Sequence, residues 1–290
     1  MTRAHFAIAL PLMLAGCLDT SVVATEIPLS VHGAPHADPI EGPNGALITL
    51  SRADVAFGPL YLCSGPTAGE LCDRALAEWT DAVVVDGLSA DPVTVGPMPA
   101  LTGTARSYMY DLGIVSLLSA DDPLVTDAAR SLDGASVVIE GDVSLDGQTL
   151  AVTVRVPVRQ SDSVERGVPV IRSGTSESFE AAVLPDGRTH LDVRFDPAGW
   201  LERADFATLF EDRACAPGDD VVCAGPIAQT CADDGTVIST EDCGASSRAC
   251  VRGAGCTEHV TLTEDDAIGR ALRTAASSGT RPQLTFTQGE

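Results

Sequence analysis

Six cysteines crowd residues 215–256: Cys215, Cys223, Cys231, Cys243, Cys250 and Cys256. The stretch around them is rich in Gly, Ala and Asp and almost lacks large apolar side chains. It cannot fold around a hydrophobic core, so crosslinks must supply its stability, typically about 2–4 kcal/mol each. Zinc needs thiolates at close spacing such as Cys-x2-Cys. Here the shortest gap holds five residues, and His259 is the only nearby histidine. Disulfides are therefore the expectation, and six cysteines can pair in fifteen ways. Cys63 and Cys72 enclose eight further residues and most simply bridge each other across a loop.

Disulfides require an oxidising compartment, and the first residues supply a route to one. Arg3 precedes an apolar run from Phe6 to Leu14, too short to cross a bilayer, which ends in Leu14-Ala15-Gly16-Cys17. Short apolar run and small residues together mark a signal peptide over 1–16. Leu-Ala-Gly-Cys resembles the lipobox of bacterial lipoproteins. That resemblance implies a thioether from Cys17 to diacylglycerol and an acylated amine, and hence attachment to a membrane. With Leu18 after the cysteine, the outer membrane is the favoured destination, facing periplasm or surface. The Cys-rich stretch, with Cys231-Ala232-Asp233-Asp234-Gly235-Thr236 at its centre, is in turn similar to segments of uncharacterised envelope lipoproteins. Removing Cys17 from nine cysteines leaves an even eight.

Loss of residues 1–16 leaves 17 basic and 41 acidic residues, a formal charge of −24. Such a surface repels nucleic acid and anionic headgroups. All basic residues are Arg. Because the acids are spread along the chain, they read as a solvated surface with no acidic tail.

Residues 17–42 mix Ser, Thr, Pro and His and read as a tether, with a possible first strand over 27–31. Strand patterns follow over 46–50, 54–57, 60–63, 82–85 and 93–95, separated by turn residues. The clearest local signal is a hairpin of 136–145 with 149–158 around Asp146-Gly147, a pair that tolerates positive φ. Leu150, Val152, Val154, Val156 and Val158 alternate with polar or small residues, as a half-buried strand requires. A second hairpin is expected to join 179–184 to 189–195 around Pro185-Asp186-Gly187-Arg188. Asp196-Pro197 should open a helix carrying Trp200, Leu201 and Ala204. A weaker helix is expected over 68–79, and another over 265–276, where Thr263 and Asp266 resemble a capping box. The last segment, 282–287, alternates Leu284 and Phe286 and should return to the main sheet.

The expected fold is mainly β: an antiparallel β-sandwich with one to three short helices and a small disulfide-rich insertion. The sandwich would comprise 43–212 plus 259–290, and the Cys-rich module 213–258.

The chain lacks a Gly-x-Ser-x-Gly elbow, a Walker loop and a His-Glu-x-x-His motif. The best metal candidate is His32 with His36 and Asp38, two imidazoles and a carboxylate suited to Zn or Cu, although their Gly/Pro-containing surroundings favour two solvated histidines. His190 falls on the polar alternation of its strand, and His259 adjoins the module. Asp146, Asp186, Asp233 and Asp234 adjoin glycines at predicted turns, which explains them better than calcium does. The leading expectation is a non-catalytic envelope lipoprotein without a cofactor, anchored through Cys17, that binds an envelope protein or small ligand or plays a structural role. A metal-binding accessory protein comes second and a hydrolase third.

Overall fold

The computed structural model describes residues 22–66, 75–115, 124–125, 127–157, 171–172, 180–278 and 280–289. Residues 1–16, where a signal peptide is expected, and Cys17, Cys72, Val158 and Phe179 lie outside the described residues.

The protein is mainly β. Its first strand, Ala24–His32, is longer than 27–31 and lies inside an eight-stranded sheet. Ile27, Leu29 and Val31 alternate into the core, which fixes this register. Across that sheet the order is Ile171–Arg172, Ser107–Tyr110, Leu60–Cys63, Ala75–Trp79, Val93–Leu101, Ala24–His32, Thr189–Arg194 and Gln283–Gln288. The stretch 17–42 expected to be a tether thus contains a nine-residue strand of the main sheet.

A second sheet runs Ile40–Glu41, Leu47–Phe57, Val137–Leu145, Gln148–Val156 and His259–Leu262, with Val83–Asp86 also paired to Leu47–Phe57. Inward side chains of both sheets, among them Leu29, Val193, Ile139 and Val152, form one continuous core. At its centre Phe57 of the second sheet meets Trp79, Tyr110 and Phe195, with ring centroids 5.8, 5.9 and 5.1 Å away. In a chain with 4% aromatics, this cluster gathers much of the large apolar area available to join the layers.

The Asp146-Gly147 hairpin forms as expected. Asp146 and Gly147 have φ of 50° and 81°, and Val137–Leu145 pairs with Gln148–Val156 from end to end. The other predicted hairpin does not. Its turn exists, with Asp186 at φ 60°, but Ala181–Val183 pairs with Gly103–Ala105. Thr189–Arg194 instead lies parallel to Ala24–His32 and antiparallel to Gln283–Gln288. Gln148–Val156 is likewise parallel to His259–Leu262, so the sandwich is mixed, not purely antiparallel.

Within the expected 68–79 helix, Ala75–Trp79 is a strand; residues 68–74 lie outside the described set. Ala77 and Trp79 face the core opposite Leu62 and Leu60, and burial there overrides the helical leaning of Ala, Leu and Glu. The segment after Asp196-Pro197 makes one short helical turn, Ala198–Leu201, and then a 3-10 turn, Phe206–Phe210. Ala267–Ser278 is the long helix, with Ile268, Leu272, Ala275 and Ala276 forming its buried stripe. Ahead of it the Asp266 carboxylate accepts from the Thr263 backbone N–H at 2.7 Å, one half of a capping box.

The Cys-rich module is held by Cys215–Cys231, Cys223–Cys250 and Cys243–Cys256. Its interior is largely sulfur: Cys223, Cys243 and Cys250 cluster with Ala228 against Val221 and Cys256. Strands of the two main sheets follow on its C-terminal side. Cys63 is also disulfide-bonded.

Candidate functional site

Two features could serve function: a set of histidine–carboxylate pairs on the outer face of the eight-stranded sheet, and a cleft at the N-terminal end of that sheet.

The pairs follow from the parallel ladder. Ile27, Leu29 and Val31 point inward, so Ser30 and His32 point outward. Asp192 does the same on the neighbouring strand, whose Leu191 and Val193 are buried. Ser30 Oγ donates to Asp192 Oδ1 at 2.6 Å, and His32 Nε2 meets Asp192 Oδ2 at 2.8 Å. His32 Nδ1 lies 2.9 Å from the Gly33 carbonyl oxygen. Just beyond the strand ends His36 Nε2 meets Asp196 Oδ1 at 2.9 Å, and the same oxygen accepts from the Ala198 N–H at 3.2 Å. Gly33 anchors the corner. A Cβ placed there would lie 2.2 Å from the carbonyl carbon and oxygen of Gly87, so only glycine allows the close approach.

This geometry restricts the chemistry. Acyl transfer by a serine nucleophile needs the imidazole between the serine and the acid, where it can take the hydroxyl proton. Here the carboxylate sits between Ser30 and His32, so the hydroxyl donates to a carboxylate and not to the imidazole. Both ring nitrogens of His32 face oxygen acceptors, which leaves neither aimed at a metal. His36 is drawn to Asp196 and not toward Asp38, and among the described residues no three His, Cys, Asp or Glu side chains converge as metal ligands.

The remaining candidates are dispersed. His190 is exposed on Thr189–Arg194. His259 Nε2 lies 2.9 Å from Thr153 Oγ1, also at the surface. Asp146 and Asp186 occupy left-handed turn positions before glycines. Asp234 Oδ1 accepts from both the hydroxyl and the N–H of Thr236, and these bonds, the hydroxyl's foremost, hold its carboxyl below the usual range.

The cleft has a topological cause. Ala75–Trp79 and Val93–Leu101 pair only at Ala77 and Ala100, and beyond that contact they leave a cleft of about 890 Å³. It is lined by Ala75, Leu76 and Ala77 of one strand and Pro99, Ala100 and Leu101 of the other, with Ala24, Thr25 and Glu26 of the adjoining first strand. Glu26, Glu78 and Asp186 are its acids, and its described lining contains no basic side chain. The one hydroxyl, on Thr25, donates to the Leu184 carbonyl and accepts from the Gly187 N–H, both at 3.3 Å. An apolar floor with carboxylates suits cationic or amphipathic ligands. Its described lining contains no serine, cysteine, lysine or histidine. Sequence reasoning missed this cleft because its residues come from four distant segments and carry no motif.

No protein-family model and no curated protein matches the chain. Among solved structures it is similar to MbnP from Methylosinus trichosporium, 11% identical over 93% of this chain and 99% of that one, with a TM-score of 0.30. A likeness at that level carries nothing over about fold or function.

Proposed function

We propose that this chain is an exported envelope protein, held to a membrane by lipid on Cys17, whose β-sandwich binds a partner or small ligand without catalysing a reaction. The observation that carries the proposal is the pairing in the module. All six of its cysteines are joined in disulfides, and its interior is built from them, so the module suits an oxidising compartment and needs one to fold. Export leaves Cys17 as the odd cysteine, at the end of a signal-like run, where lipid would consume its thiol.

The binding role is supported by the cleft, whose apolar walls and carboxylates suit a cationic or amphipathic ligand. The test is an intact mass of the membrane-extracted protein, with and without reduction and alkylation. A mass beginning at Cys17, increased by acyl chains, with eight cysteines reacting only after reduction, is the expected result. An unmodified Cys17, or cleavage elsewhere, refutes the anchor; free thiols in the native protein refute the compartment.

A further inference from the structure

We infer that the end of the sandwich formed by Val22, Val23 and Leu101 lies against the bilayer interface, so that the eight-stranded sheet stands on the membrane by one fixed end. The inference rests on the proposed anchor at Cys17, and two independent features of the fold add to it.

The first is the length of chain outside the structure. Val23 is not part of a free leader: its N–H donates to Thr102 Oγ1 and its carbonyl accepts from the Thr102 N–H, each at 2.9 Å. Only five residues, six Cα-to-Cα steps, separate that fixed point from Cys17. At most they reach about 21 Å, at roughly 3.5 Å per step. The headgroup layer is itself roughly 5–7 Å thick on each side of the hydrocarbon. The lipid on Cys17 therefore holds the start of the first strand within a few headgroup thicknesses of the acyl chains.

The second is what that end presents. Val22 is 61% exposed, Val23 47% and Leu101 42%. The register sets Ala24 opposite Leu101, so the three stand together next to the anchor. Water gains nothing from solvating them, whereas the interface accepts apolar side chains, so the short leash and the apolar end favour the same orientation. The acidic surface of the protein resists spreading flat on anionic lipid, and Val22, Val23 and Leu101 themselves add no charge to the contact, although Glu26 and Glu78 of the cleft lie close by. Val93 is equally apolar and exposed but lies at the far end of the strand that carries Leu101, beside Val31. Roughly 26 Å of strand separates the two, which makes Val93 the internal control.

The experiment uses the membrane-extracted, full-length chain in phosphatidylcholine vesicles, carrying either Leu101→Trp or Val93→Trp, with acyl chains brominated near the headgroup as quencher. The native Trp79 and Trp200 are buried in the core and supply the same background in both variants. Emission added by Leu101→Trp should be blue-shifted and reduced about twofold or more by brominated lipid. Emission added by Val93→Trp should be unaffected by the lipid and reduced by aqueous acrylamide. A chain whose mass carries the lipid, but in which the two positions respond alike or Leu101→Trp is not quenched, overturns the orientation and leaves the anchor standing. A chain without lipid overturns both. Urea titration of each variant shows that it is folded, and both substitutions replace exposed side chains.

Discussion

Replacing Cys223 and Cys250 together by alanine should open the Cys-rich module while leaving the sandwich folded. The three disulfides interlock along the sequence: Cys223 lies inside the Cys215–Cys231 loop, and Cys243 lies inside the loop that Cys223–Cys250 closes. The middle bridge spans 27 residues, the others 16 and 13. Loop-closure entropy then assigns it about 3.6 kcal/mol, against about 3.1 and 2.9 for its neighbours. With a core of sulfur and alanine, the module has little else to absorb the loss. A tenfold change in population costs about 1.4 kcal/mol, so the opened module should become about 400-fold more populated. Trypsin can read this directly, because without lysine the chain is cut only after arginine and Arg248 and Arg252 lie inside the module. Arg248 is pinned by Glu241, by Ser246 Oγ at 2.7 Å and by the Cys256 carbonyl at 3.3 Å. Where opening is fast relative to cleavage, the rate follows the open population. Cleavage after both residues, followed by mass, should rise by that factor, while the urea midpoint of the sandwich stays within error of the parent. A rise of less than about tenfold would refute the loop-entropy reasoning. An equal loss of the sandwich would refute the idea that the module is an independently opening unit.

Trp200 is buried and its Nε1–H donates to the Thr280 carbonyl at 2.7 Å; Trp200→Phe keeps most of the ring but strands that carbonyl, and urea denaturation should show a loss of about 1–3 kcal/mol. Gly33→Ala forces a Cβ into the Gly87 backbone, which no rotamer can avoid, and the same assay should show at least about 1–3 kcal/mol of destabilisation. Burial, then the charges of Asp111 and Glu78, raise the Tyr61 hydroxyl above its ordinary value of 10.0. Its contribution to stability is whole below that value and is lost as pH climbs through the folded one, so absorbance at 295 nm should contain a late-ionising component that Tyr61→Phe removes, together with the alkaline destabilisation it causes. Metal analysis of protein purified without added metal should find less than stoichiometric Zn and Cu, and no difference in a His32→Ala/His36→Ala variant; stoichiometric metal lost on that substitution would revive the metal-binding reading.

Local signals in the sequence survived into the structure wherever local energetics decide. Asp146-Gly147 selects a turn with two positive φ angles, and the flanking alternation makes the ladder. The buried stripe of Ala267–Ser278 is legible because a 3.6-residue period recurs over three turns. Ala75–Trp79 was not legible, since five residues sample too little of either period and their composition favours a helix. The decision fell to Leu60 and Leu62 across the sheet. The 179–195 hairpin failed for a related reason. Its turn residues formed the turn, but a turn does not oblige its arms to pair, and Thr189–Arg194 found more burial between the first and last strands.

The histidine–carboxylate pairs show what a sequence hides and where it leaves a trace. His32 and His36 are four residues apart, and their partners Asp192 and Asp196 are also four apart. In an antiparallel ladder, moving forward along one strand means moving backward along its neighbour, so equal spacings in the same direction would diverge. In a parallel ladder the offset is constant. The backbone register of Ala24–His32 on Thr189–Arg194 keeps an offset of 162 residues, from Leu29 opposite Leu191 to His32 opposite Arg194, and the two side-chain pairs, both offset by 160, follow it. Matched spacing of opposite charge types, each next to an alternating strand, is thus a signal of parallel pairing, though an ambiguous one in a chain with 41 acids. Once the ladder is known, the histidines read as orientation devices for the strand ends. Each imidazole ties its own segment to a carboxylate 160 residues away, and Gly33, between the two histidines, lets that segment close on the backbone of Gly87. That assignment separates the tie from the cleft at the opposite end of the first strand, where Glu26, Glu78 and Asp186 stand without histidine. A Glu26→Gln/Glu78→Gln variant should therefore weaken capture of a cationic ligand without lowering stability by more than about 0.5 kcal/mol. Asp192→Asn, which removes the charge and turns one of the two oxygens that Ser30 and His32 meet into a donor, should lower stability by about 1 kcal/mol for this half-buried pair and leave that capture unchanged. A ligand lost equally in both variants would show that the two ends of the strand form one site.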